Sequence, residues 1–121
     1  MKSLVVFSLF FLAICCCREN DDINCTQEAR AGLNVNVRDA LTNNYLGEGI
    51  TVVAQDGNYT EILELINFNP PAFAGAWERE GDYIITVSGE GYVTYVSETI
   101  TVTSDPCHVI PQTVDVSLQP E

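Results

Sequence analysis

Gly81-Asp82-Tyr83-Ile84-Ile85-Thr86-Val87-Ser88-Gly89-Glu90-Gly91-Tyr92 says more about architecture than any other stretch of this chain. From Tyr83 to Val87 it is rich in β-branched and aromatic residues, which suit a pleated, half-buried surface. Side chains alternate across a strand, so Tyr83, Ile85 and Val87 share one side. Ser88-Gly89-Glu90-Gly91 follows as a tight turn, from which Tyr92 can pack back onto that side. Glu80-Gly81-Asp82 reads as the turn leading in. Gly81 and Gly91 are expected at positive φ, where glycine escapes the penalty a Cβ imposes.

The same period of two extends in both directions. Leu33-Asn34-Val35-Asn36-Val37-Arg38 alternates cleanly, and Asp39 to Asn44 is rich in turn formers. Gly47 and Gly49 precede a strand from Ile50 to Gln55. Asp56-Gly57-Asn58 is a hairpin signal, with Tyr59 to Leu65 as the return strand. Ile62, Leu65 and Ile66 also fit one face of a helix, and periodicity leaves both readings open. Pro70-Pro71 ends any such helix within Asn67 to Pro71, and Pro70-Pro71-Ala72-Phe73 is expected to cap the core. Phe73 to Glu78 forms a further strand carrying Trp77. Tyr92 to Thr103 alternates again, Ser104-Asp105-Pro106 stops it, and Val114 to Leu118 is the last strand. These short strands and frequent turns predict an all-β fold, a single antiparallel β-sandwich of about seven strands.

The run from Gly81 to Tyr92 resembles the G-x-Y-x-x-x-V-x-x-x-G-Y signature of carboxypeptidase regulatory-like domains, through Gly81, Tyr83, Val87, Gly91 and Tyr92. Val37 to Thr42 and Leu46 to Val52 are similar to that family's opening hairpin. The resemblance covers about residues 32–118. It implies a transthyretin-like (prealbumin-like) sandwich and an accessory or recognition role. All five signature residues are structural in this reading, as core and turn positions.

At the other end, Lys2 and an apolar run from Leu4 to Ile14 lead to Cys15-Cys16-Cys17, and then to Arg18-Glu19-Asn20-Asp21-Asp22. The run is too short for the roughly 20 residues that span a bilayer, and it has the length of a signal-peptide core. It resembles a bacterial lipoprotein signal over residues 1–17, with Cys17 as the lipidated residue and Cys16 and Cys15 as alternatives. Residues 18–31 then form an acidic tether and 32–121 the domain. The implied location is the bacterial cell envelope, at the outer membrane on its periplasmic or surface face, with the membrane reached through the lipid anchor. In an exported chain the remaining cysteines, Cys25 and Cys107, are expected to form a disulfide.

Beyond residue 17 the chain carries four arginines and no lysine against 17 carboxylates. A nucleic-acid partner is excluded by the lack of any basic face. No catalytic site is expected. There is one histidine, His108, and no nucleophile elbow, and Ser104, Asp105 and His108 lie within a single turn, where a triad geometry is not implied. No metal or cofactor is expected. Glu78, Glu80 and Asp82 are weak calcium candidates, since calcium takes oxygen clusters in loops, but they lack the twelve-residue loop pattern. The function expected is a non-catalytic envelope lipoprotein binding a protein, peptide or glycan partner. The alternatives are a calcium-stabilised structural module and, behind it, a small hydrolase.

Overall fold

The computed structural model describes residues 24–66 and 69–121, and it is all-β. Nine strands follow in order: β1 (Ala31–Asp39), β2 (Ile50–Asp56), β3 (Tyr59–Ile62), β4 (Glu64–Ile66), β5 (Ala72–Trp77), β6 (Gly81–Gly89), β7 (Tyr95–Val96), β8 (Ile100–Val102) and β9 (Gln112–Leu118). One sheet has the order β4-β5-β1-β9. The other has the order β3-β2-β6-β7, with β8 also paired to β6. Their inner faces enclose one core, in which Leu33, Val35, Val37, Val52, Tyr83, Ile85, Val87 and Leu118 are fully buried.

The sandwich exceeds seven strands because two expected strands are each divided. The segment with competing helical and extended readings is where the chain changes sheets. β3 pairs with β2, whereas β4 pairs with β5. Between them Leu63 is buried in the core, and its N–H donates to the Val52 carbonyl at 2.8 Å. Its apolar neighbours sit at helical spacing because they serve two sheets in turn. Tyr92 to Thr103 likewise yields β7 and β8, both short partners of β6. One pair departs from the antiparallel expectation: β1 and β9 run parallel from Leu33↔Gln112 to Asp39↔Leu118. Alternation within a strand carries no information about partner direction, so a sequence pattern cannot distinguish the two.

The β6 pattern holds: Tyr83, Ile85 and Val87 are wholly buried and Ile84 is exposed. Tyr92 packs against the core, and its hydroxyl donates to Asp39 Oδ2 at 2.7 Å. Asp39 Oδ1 accepts the Leu41 and Thr42 N–H groups at 2.8 and 3.0 Å, which shapes the turn after β1. Phe73 is buried, opposite Val35 on β1.

The two signature glycines have different reasons. Gly91 has φ 87°, as expected. Gly81 does not have positive φ; it begins β6, so the expected Glu80–Asp82 turn is shorter than the sequence implies. A Cβ at Gly81 would lie 2.5 Å from Asp56 Oδ2 and 3.1 Å from the Tyr83 ring. That space is taken by a polar cluster. Arg79 donates to Asp56 Oδ2 at 3.1 Å and to the Tyr83 hydroxyl at 2.9 Å, and its guanidinium lies 3.6 Å above the Tyr59 ring centroid.

Residues 1–23 lie outside the described part, and with them the expected signal sequence, the lipidation candidates and the first part of the expected tether. The rest of the tether reading is revised. Ala31 is already in β1 and buried, and residues 24–30, though exposed and outside any strand, are tied to the sandwich.

Candidate functional site

Cys25 and Cys107 are joined by a disulfide with Cα atoms 5.3 Å apart, across 82 residues of sequence. The residue after each cysteine is thereby brought into contact. Thr26 Oγ1 lies 2.9 Å from His108 Nε2. On the other side of the ring, His108 Nδ1 lies 2.5 Å from Glu78 Oε2. A carboxylate can only accept, so Nδ1 carries a proton; in the neutral ring Nε2 then accepts from the Thr26 hydroxyl. The result is a hydroxyl–imidazole–carboxylate chain.

Each member is held from a different direction. His108 sits in a turn built on Asp105, whose Oδ1 accepts the Cys107 and His108 N–H groups, each at 2.8 Å. The Asp105 N–H donates to the His108 carbonyl at 2.9 Å, and Ser104 bridges Val109 to close the hairpin. Glu78 leaves the end of β5 with φ 51°, two residues after Ala76 at φ 55°. Left-handed backbone at a non-glycine residue is uncommon and costs free energy unless its surroundings hold it. Here they do. Glu78 Oε1 accepts the Val109 N–H at 3.0 Å, Oε2 accepts the Arg30 N–H at 3.0 Å, and the Glu78 N–H donates to the Arg30 carbonyl at 2.9 Å. One side chain thus links residues 24–30, the end of β5 and the turn before β9.

The His108 side chain is only 8% exposed, while Glu78 is 33% exposed and Thr26 faces solvent. They line an open cleft of about 760 Å³, with Glu28, Glu80 and Ser104 among its other walls. The hydrogen bond from His108, then that from the Val109 N–H, holds the Glu78 carboxyl below its ordinary value of 4.5. The His108 and Cys107 backbone N–H groups do the same for Asp105, whose ordinary value is 3.8.

These two shifts set a pH dependence. A carboxylate with a depressed folded-state pKa contributes stability above its unfolded value and loses it as pH falls through the folded value. Stability is therefore expected to decline below about pH 4.5, as Glu78 and Asp105 take up protons. Glu78→Gln should make that decline shallower in thermal melts followed on acidification. An unchanged slope would show that Glu78 does not carry it.

The three calcium candidates are near one another in sequence but have separate partners. Glu78 is engaged as above, Glu80 accepts from the Ser104 hydroxyl, and Asp82 Oδ1 accepts from Thr101 at 2.8 Å. Among the described residues, no group of three or more His, Cys, Asp or Glu side chains is placed to hold a metal ion. The Ser104, Asp105 and His108 set is not a triad either. Asp105 meets backbone N–H groups and Ser104 meets Glu80, whereas the imidazole meets Thr26 and Glu78. The sequence did hold a signal for Thr26: once Cys25 and Cys107 are paired, their following residues must be close. It held none for Glu78, whose approach depends on the left-handed turn at the end of β5.

A second feature lies on the outer face of the β3-β2-β6-β7 sheet. Strand register aligns Ile62, Val53, Thr86 and Val96 in one row across β3, β2, β6 and β7. The next row is Thr60, Gln55 and Ile84. These side chains point away from the core, with Ile62 69%, Val96 60% and Ile84 42% exposed. Neither row contains a charge. Comparison with protein-family models and with curated proteins found no match to this chain.

Proposed function

We propose that this protein is a lipid-anchored recognition module of the bacterial cell envelope, related to the carboxypeptidase regulatory-like domains, and that it works by docking a protein partner on the outer face of the β3-β2-β6-β7 sheet. The observation that carries the reading is the pair of uncharged rows on this face. The chain has a net charge of −12, yet two adjacent rows of this face are neutral and, apart from Gln55, β-branched. Depletion of charge marks the buried centre of protein interfaces, and clustered exposed apolar groups mark contact sites. A protein surface suits this face better than a glycan, since its exposed groups are aliphatic and it offers no aromatic platform among Ile62, Val53, Thr86, Val96, Thr60, Gln55 and Ile84. The anchor reading rests on the apolar run ending at Cys15-Cys16-Cys17.

A photo-crosslinking residue placed at Ile62 or Val96 in cells tests the docking face, with Thr113 on the outer side of β9 as control. The expected result is a discrete protein adduct from positions 62 and 96 that is absent from position 113 and lost in an Ile84→Glu background. Adducts to envelope glycan, or equal yields at all three positions, would overturn it. Mass spectrometry of the mature N-terminus should find an acylated cysteine, with Cys17 the expected residue.

A further inference from the structure

We propose that Thr26, His108 and Glu78 form a nucleophilic relay in which the Thr26 hydroxyl accepts acyl groups from esters entering the cleft. This adds a chemical step to a chain whose sequence reads as non-catalytic. It is independent of the docking face, which shares no residue with the cleft.

The three roles follow from the contacts. Nucleophilic hydroxyls need a base within hydrogen-bond reach and a third group that orients the base. Thr26 Oγ1 meets Nε2 at 2.9 Å and Glu78 Oε2 meets Nδ1 at 2.5 Å, so the order hydroxyl, base, carboxylate is complete. Exposure has the matching gradient: Thr26 is exposed at the cleft wall and the base its hydroxyl meets is 8% exposed. Glu78 is held by the Arg30 and Val109 N–H groups independently of the imidazole, as an orienting group requires. The disulfide acts as the positioning element, because Thr26 and His108 each follow one of its cysteines.

The step balances with ester and water alone. Thr26 Oγ attacks the carbonyl carbon and forms the new C–O bond while Nε2 takes the hydroxyl proton. Glu78 stabilises the imidazolium. Collapse breaks the bond to the leaving alkoxide, which receives the proton from Nε2 and departs as alcohol. Water, deprotonated by Nε2, then cleaves the acyl-threonine, releasing the carboxylic acid and restoring Thr26. Glu28 and Glu80 at the cleft walls favour neutral or cationic esters over anionic ones.

The test uses the full chain in detergent, with p-nitrophenyl acetate and a neutral fluorophosphonate as probes. The expected result is turnover above buffer and a phosphonyl adduct mapped to Thr26. Thr26→Ala and His108→Gln should each lower turnover by at least about 10²-fold, the scale of general-base assistance. Thr26→Ser should retain activity and labelling. Reduction of the disulfide should lower both, by freeing Thr26 from His108. No adduct at Thr26, or turnover equal in wild type and Thr26→Ala, would overturn the proposal. A melting temperature lowered by these variants while the wild type neither labels nor turns over would assign the three residues to a purely structural clasp, and would also overturn it.

Discussion

Replacing Cys25 and Cys107 together by alanine is expected to destabilise the domain by about 4 kcal/mol, the chain-entropy value for a loop of this length. The bond spans 82 residues, so it restricts most of the unfolded domain. Total stability for a domain of this size is about 5–15 kcal/mol. One kcal/mol moves the midpoint by about 4–8 °C at 60–100 residues, so the melting temperature should fall by on the order of 20 °C. The loss has a local side as well. Residues 24–30 would keep only the Arg30–Glu78 pairing and the Thr26–His108 bond, and should become the first site of proteolysis. Thermal melts of the double variant against the oxidised wild type measure the effect. A shift of only a few degrees would mean that those bonds, and the packing of Ala31, hold the segment without the covalent link.

Tyr83→Ala should cost about 3–5 kcal/mol, the range for removing a large aromatic side chain from a core. Tyr83 has no exposed surface and belongs to the buried core cluster together with Ile85 and Val87. Tyr83→Phe separates the ring from the hydroxyl. The hydroxyl donates to the Arg79 carbonyl and accepts from the Arg79 guanidinium, each at 2.9 Å. Losing it should cost about 1 kcal/mol, since Arg79 keeps Asp56 and the Tyr59 ring. Denaturant unfolding of the two variants gives the ratio directly. If Phe cost as much as Ala, the stabilisation would reside in the polar cluster around Arg79 rather than in core packing.

Both effects begin from residues legible in the sequence, but not to the same depth. Tyr83 was readable as core because β-branched alternation dictates a buried side, and the buried side of β6 is the one expected. The pairing of Cys25 with Cys107 was readable because beyond residue 17 the sequence offers these two cysteines no other partner. What the pairing does was not readable. That it seats Thr26 on His108 depends on the geometry of two turns, and that Glu78 completes the chain depends on two left-handed residues at the end of β5. Gly81 gives the converse case. A glycine at a strand start suggested a conformational reason, and the reason is steric, set by an Arg79–Asp56 pair whose members lie 23 residues apart.

The sequence alone determined most of the strand-forming segments and turns, and the buried side of β6, because these follow from local propensity and a period of two. It also determined the acidic character of the chain. The tertiary structure decided which strands become neighbours, that β1 and β9 run parallel, and that Leu63 carries the chain from one sheet to the other. It also decided which residues meet in the cleft and which uncharged side chains align on the outer face. Those are contacts between residues distant along the chain, selected by packing two sheets around one core. No local pattern encodes which of the many possible pairings that packing will choose.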